Sequence, residues 1–440
     1  MKRLLALVLL LPLLGGVTWG QTREEKVRND KKKVEGEGFW IYNDLARGFR
    51  EAKESGKPLI VVLRCLPCEE CVKLDDELID QHPSVQPLLG KFVRVRQIST
   101  NGLDLATFQY DYDQSFAVFF LNGDGTVYGR FGTRSHRTDW HDDVSIEGLG
   151  RAMAGALELH QGYPANRALV EAKRGPAPEV ASPEKFPNLQ GKFTAQLDYQ
   201  GQVVKSCIHC HQVGESQKEW HRDRSKTIPD QVLFPYPHPK SLGLILDPRE
   251  KATVEKVEPG TPAAKAGFQA GDVIRQLSGQ TLLSIADVQW VLQGVPAKGG
   301  TIEAVVQRGG AEKQLTLTLP AGWRRLDDIA WRASSWTLRR WGVGGIYSEA
   351  LSPEDRKPLD IPADRMVLRV KHVGQYAPHD IAHRAGVQKG DLIVSFDGRR
   401  DFLRESDLLA YGVNEARGKE VAVELLRDGK PIATRMTLPK

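Results

Sequence analysis

"AGFQAGDVI" occupies residues 266–274 and "AGVQKGDLI" occupies residues 385–393. Both begin Ala-Gly, and both close on Gly-Asp, an apolar residue and Ile. Self-similarity this clear signals a tandem domain. The glycines read as tight turns, where the lack of a Cβ opens conformations closed to other residues. Around the first copy lie "KSLGLILD", "ATVEKVEPGTPAAK" and "KQLTLTLP"; around the second lie "RMVLRVKHVG" and "VAVELLRDGKPIATRMTL". Short apolar runs between Gly/Pro turns predict a mainly-β unit twice over, at 237–322 and 323–440. "GWRRLDDIAWRASSWTLRRW" joins them, and Trp323, Trp331, Trp336 and Trp341 are expected to pack the units together.

The duplicated unit resembles PDZ domains of the bacterial HtrA-like type. That resemblance implies that a peptide adds as a strand to a sheet edge, its C-terminal carboxylate held by backbone N–H groups of a Gly-containing loop. The matching loop is Ser241-Leu242-Gly243-Leu244, which makes Leu242, Gly243 and Leu244 the expected peptide-binding residues and protein or peptide C-termini the expected partners. In the second copy the match is Gly342-Val343-Gly344-Gly345; the alternative is a packing module with a blocked groove. No G-x-S-x-G or similar element is visible, so the chain is not expected to be a protease.

Upstream, "GKPLIVVLRCLPCEECVKL" (56–74) sits in a βαβαββα order over 37–165 that resembles thioredoxin-like domains. The fold class is thus multidomain, α/β plus mainly-β. By that resemblance Cys68 and Cys71 take the motif positions of a reversible dithiol and Cys65 is extra; a rival register pairs Cys65 with Cys68. A helix N-terminus there favours a thiolate. Glu69, Glu70, Asp75 and Asp76 oppose it. Ser115-Phe116 stands where thioredoxins place a cis-proline. Structural cysteines or copper-binding thiolates are the alternatives.

"CIHCHQV" (207–213) contains CxxCH, the pattern of covalent haem attachment. The chemistry assigns thioethers to Cys207 and Cys210 and the axial position on the iron to His211, with haem c as cofactor. The rival is a zinc site from Cys207, Cys210, His211 and His221. His221 and His238 are also the nearer candidates for a distal haem ligand. Residues 191–236 are too few for a complete cytochrome. The four prolines of 174–190 place a linker at 166–190, and the charged run 21–36 reads as a disordered lead-in.

Lys2 and Arg3 precede an apolar run from Leu4 to Val17, with small residues before Gln21. This is the form of a secretory signal over 1–20, which predicts an exported, periplasmic or extracytoplasmic chain with no membrane span once matured. A net charge of +5 from 61 basic and 56 acidic residues, well mixed, describes a solvated surface and not a nucleic-acid footprint. The whole arrangement resembles a bacterial thioredoxin-like/PDZ (seleno)protein family, some members of which carry selenocysteine in the thioredoxin motif. The resemblance implies redox chemistry with a redox partner protein, as a thiol-disulfide oxidoreductase or electron-transfer protein. The competing class is a non-enzymatic PDZ adaptor.

Overall fold

The structure, a computed structural model, describes residues 22–64, 82–114, 116–133, 144–224 and 227–440. The expected signal, Cys65, Cys68, Cys71, their acidic neighbours and Ser115 lie outside the described residues.

β2 (Leu59–Arg64) organises the N-terminal unit. Its six residues are all buried, which suits a strand with partners on both edges and cover on both faces. It lies in a five-stranded sheet of order β1-β3-β2-β4-β5 with β1 (Ile41–Tyr42), β3 (Val93–Gln97), β4 (Phe116–Leu121) and β5 (Val127–Thr133). β1, β3 and β2 run parallel, and β4 and β5 run antiparallel. Side chains alternate along β2, so Ile60 and Val62 enter one core and Leu59, Val61 and Leu63 another. Helix α4 (Ile146–Gly162) covers the first face with Leu149, Met153 and Ala156; α2 (Leu45–Ser55) covers the second with Ala52. A short α3 (Gln86–Leu89) precedes β3. The expected βαβαββα order is met by the described elements, save that the helix expected after the cysteines lies outside the described residues.

The charged lead-in is not disordered. It forms helix α1 (Arg23–Glu37), started by a capping box in which Thr22 and Glu25 bond each other's backbone. Val27 and Val34, seven residues apart and so on one face, are buried in the sheet's core. Asp30 pairs at 2.9 Å with Arg64 at the end of β2. The supposed linker is also ordered. Its turns bury Val170, Lys173, Val180, Phe186 and Leu189. Helices α5 (Cys210–Arg224) and α6 (Asp230–Leu233) follow.

The first repeat contains β6 (Leu244–Leu246), β7 (Val254–Val257), α7 (Pro262–Lys265), β8 (Val273–Leu277), β9 (Gln280–Thr281), α8 (Ile285–Gln293), β10 (Gly300–Arg308) and β11 (Ala311–Leu319). The second opens with α9 (Ser335–Val343), then β12 (Ile346–Ala350), α10 (Pro353–Arg356), β13 (Leu368–Val373), α11 (Ile381–Arg384), β14 (Leu392–Phe396), α12 (Glu405–Asn414), β15 (Glu420–Arg427) and β16 (Lys430–Thr437). The shared nonapeptide has one physical cause in both. Gly267 and Gly271 have φ of 85° and 86°, Gly386 and Gly390 of 86° and 98°, all in the left-handed region. The aspartate that follows is buried and gripped by an arginine fork, Arg308 on Asp272 and Arg427 on Asp391, which also bonds the Gly267 or Gly386 carbonyl.

The units are fused by buried polar contacts. Asp287 on α8 accepts from Lys173 Nζ at 2.6 Å and from the Arg130 N–H of β5 at 3.0 Å. Arg332 reaches Asp111 at 2.7 Å. Ser334 bonds Asp113 and accepts from Lys218 of α5. Ile228, Leu233 and Phe234 join the core of the second repeat. The tryptophans do not act together as the seam: Trp323 fills the first repeat's core, Trp341 the second's, and Trp336 is exposed. Charged groups on neighbouring elements join the units instead. No helix among the described residues is long and apolar enough to cross a membrane.

Candidate functional site

The CxxCH turn is strapped onto the C-terminal end of the thioredoxin-like sheet. Ile208 is fully buried. Its carbonyl accepts from the Thr100 N–H at 3.0 Å and hydroxyl at 2.8 Å, and its N–H donates to Asn101 Oδ1 at 2.8 Å. Asn101 Nδ2 adds bonds to the Thr194 and Ser206 carbonyls. A cavity of about 10 Å³ is bounded by Leu63, Arg64, Thr100, Ile208, His209 and Cys210. Arg64 is the residue before Cys65. The fold therefore brings 207–210 to the strand end from which the other cysteine motif departs. Nothing local in either motif signals this, because the straps, Thr100 and Asn101, lie about a hundred residues away in sequence.

Both thiols are reduced and largely shielded. Cys207, 9% exposed, belongs to the core of Val27, Trp40 and Tyr42, and burial pushes its thiol up to about 12. Cys210 packs against the opposite core, where burial raises its thiol, offset in part by a hydrogen bond from Tyr110 Oη at 3.1 Å. His209, stacked at 5.7 Å on the exposed His211, is held neutral down to about 4, by burial first and then by His211 and Arg23.

Haem c needs both thiols on one edge of a macrocycle with His211 beneath it. Here the thiols enter different cores, and the void beside Cys210 admits about one water. A site for a group of that size takes roughly 300 Å³ or more. In this arrangement the residues do not fit haem. The rival zinc set does not converge either, since ten residues of helix α5 place His221 about 15 Å along the axis from His211.

In the first repeat, Leu242 and Leu244 are buried and Gly243 turns left-handed at φ 75°, entering β6. β6 has only β7 as a strand neighbour among the described residues. Two donors of the expected carboxylate cradle are turned inward: the Ser241 and Gly243 N–H groups bond the His238 and Lys240 carbonyls. In the second repeat the expected loop is the end of helix α9. Gly344 and Gly345 cap that helix, the Gly345 N–H donating to the Arg339 carbonyl. Helix α9 packs on α12 so closely that a Cβ on Gly412 would strike the Gly342 carbonyl. Buried Arg339 pairs at 2.8 Å with Glu405, whose carboxylate also accepts from the Ser348 N–H on β12. The Arg339–Glu405 pair thus ties α9, α12 and β12 together, and Gly342-Val343-Gly344-Gly345 lies at the capped end of α9.

Family models match a thioredoxin-like domain over 40–123 and a PDZ domain over 253–299. A probable periplasmic serine endoprotease, DegP-like, of Marinomonas sp. (strain MWYL1) is 28% identical over 188 residues, 42% of this chain and 37% of that protein. Its counterpart in Halomonas elongata is 26% identical, over 34% of this chain and 29% of that protein. A solved HtrA-type protease, AlgW with decapeptide, matches at 15% identity over 32% of this chain and 49% of that chain, with a TM-score of 0.20. The chain contains a thioredoxin-like domain and a PDZ domain, and it aligns with little more than a third of its first curated relative's length. The expectation of a non-protease is corrected by these relatives, which are named as probable serine endoproteases. Lack of a G-x-S-x-G element was no ground for it, because a catalytic triad is defined by geometry and not by a local motif.

Proposed function

We propose that this chain is an extracytoplasmic polypeptide-docking protein. The PDZ unit takes a strand of client along β6, and the thioredoxin-like unit offers the client the thiols of Cys65, Cys68 and Cys71. The carrying observation is β6: an edge strand entered through left-handed Gly243 in the unit that matches a PDZ domain. The periplasmic naming of the relatives supports the location. Docking of a C-terminal carboxylate requires the inward-turned N–H groups of Ser241 and Gly243 to reorganise. Peptides with a free C-terminus should therefore bind, and amidated forms should bind this site weakly. Equal affinity for both forms rejects the loop as a carboxylate site. The second repeat is read as a PDZ-like module in a structural role. Disulfide mapping after oxidation tests Cys68–Cys71 against Cys65–Cys68. Covalent haem at Cys207 and Cys210 requires the CIHCH turn to open, and a pyridine haemochrome spectrum of protein matured alongside c-type cytochromes decides it.

A second reading places the chain in proteolysis, and similarity to DegP-like endoproteases favours it. Cleavage of an unfolded protein substrate that stops with a serine-directed inhibitor supports that reading. Intact substrate after prolonged incubation refutes it.

A further inference from the structure

A groove of about 840 Å³ opens where four parts of the chain meet, within the range typical of ligand sites. Tyr112 comes from the thioredoxin-like unit, Pro176 from the connecting segment, Trp220 from α5 and Trp290 from α8. One wall holds Gln280 of β9, 8% exposed, whose buried Oε1 has no hydrogen-bond partner. A buried amide oxygen without a donor is costly, so it points to a ligand that brings an N–H.

The other walls narrow the chemistry. Among the described residues no lysine or arginine lines the groove; apart from tyrosines its ionisable groups are the exposed Glu179, and His221 of α5, whose burial favours the neutral imidazole. An anion, whether a carboxylate or a phosphate, finds no permanent cation there among the described residues. The Gln109 amide already bonds the Gly175 N–H and the Pro176 carbonyl, and Gln293 already holds the Tyr236 N–H. Aromatic and proline walls with one waiting acceptor suit apolar side chains on a backbone that presents an N–H. We propose that this groove binds an uncharged, apolar segment of extended polypeptide, with one backbone N–H of the segment on Gln280. The site needs no free C-terminus and does not rest on the carboxylate loop of the PDZ unit.

The test is fluorescence anisotropy on the full chain with a labelled, N-acetylated and C-amidated octapeptide of Leu, Val, Phe and Ser. This peptide is expected to bind, and one with Asp in place of Leu and Val to bind at least about tenfold more weakly. Gln280→Leu removes the acceptor and should weaken binding about tenfold, the loss of one hydrogen bond. Thr301→Trp, built from an exposed rim position, should abolish binding while leaving the thermal midpoint unchanged. Failure of the apolar peptide to bind, or binding unchanged by both substitutions, overturns the proposal. So does preferential binding of the Asp peptide or of a neutral oligosaccharide.

Discussion

Asp287→Ala should loosen the whole molecule and not the PDZ unit alone. Asp287 is 1% exposed and serves three donors: Lys173 Nζ at 2.6 Å, the Arg130 N–H at 3.0 Å and the Leu283 N–H at 2.9 Å. Lys173 is fully buried, so removal of the carboxylate strands an ammonium and two amide donors away from water. Breaking a buried pair from one side costs about 3–5 kcal/mol. Lys173→Met is expected to cost less, because the carboxylate left behind keeps its two backbone donors. Once Lys173 is Met, the further step Asp287→Ala should cost less than it does in the native chain, a coupling of about 1–3 kcal/mol. The assay is urea unfolding followed by tryptophan emission, since Trp290 lies on the same helix under Arg130 at 4.0 Å. Emission and far-UV ellipticity should shift together in Asp287→Ala. An Asp287→Ala cost below about 1 kcal/mol, or below that of Lys173→Met, refutes the reasoning. So does a PDZ transition that moves while the thioredoxin-like transition stays.

Three further outcomes follow from the site. His209 is neutral in the fold down to about 4, below its ordinary 6.5, so its contribution is present above 6.5 and is lost as pH falls toward 4. After allowance for its partial exposure this amounts to about 1–2 kcal/mol, and between pH 7 and 4 the stability of wild type relative to His209→Gln, read from urea midpoints, should fall by that amount. Tyr110→Phe removes the hydrogen bond that opposes burial at Cys210, so its thiol should titrate higher and alkylate several-fold more slowly at pH 8, as read by mass mapping. Gly412→Ala drives a methyl into the Gly342 carbonyl and should cost about 1–3 kcal/mol in thermal or urea unfolding; an unaffected melting point would show that α9 and α12 can separate freely.

The sequence by itself determined the modules, because local chemistry repeats where local geometry repeats. Ala-Gly and Gly-Asp recur since two left-handed glycines must precede a buried aspartate held by an arginine, and that constraint is the same in both copies. "GKPLIVVLR" reads as a central strand because a segment covered on both faces must be apolar throughout. Relations between modules were decided only by the tertiary structure. The proline-rich stretch at 174–190 carries the composition of a linker, yet long-range packing buries Val180 and Phe186. CIHCH carries the local pattern of a haem site, but Thr100, Asn101 and Tyr110 fold over it and sink its thiols in two cores. The second repeat carries a signature that left a peptide site and a packing module both open, and the helix preceding it is tied to α12 through Arg339 and Glu405. In each case the deciding partner lies dozens of residues away or more, where no periodicity or spacing within the motif can register it.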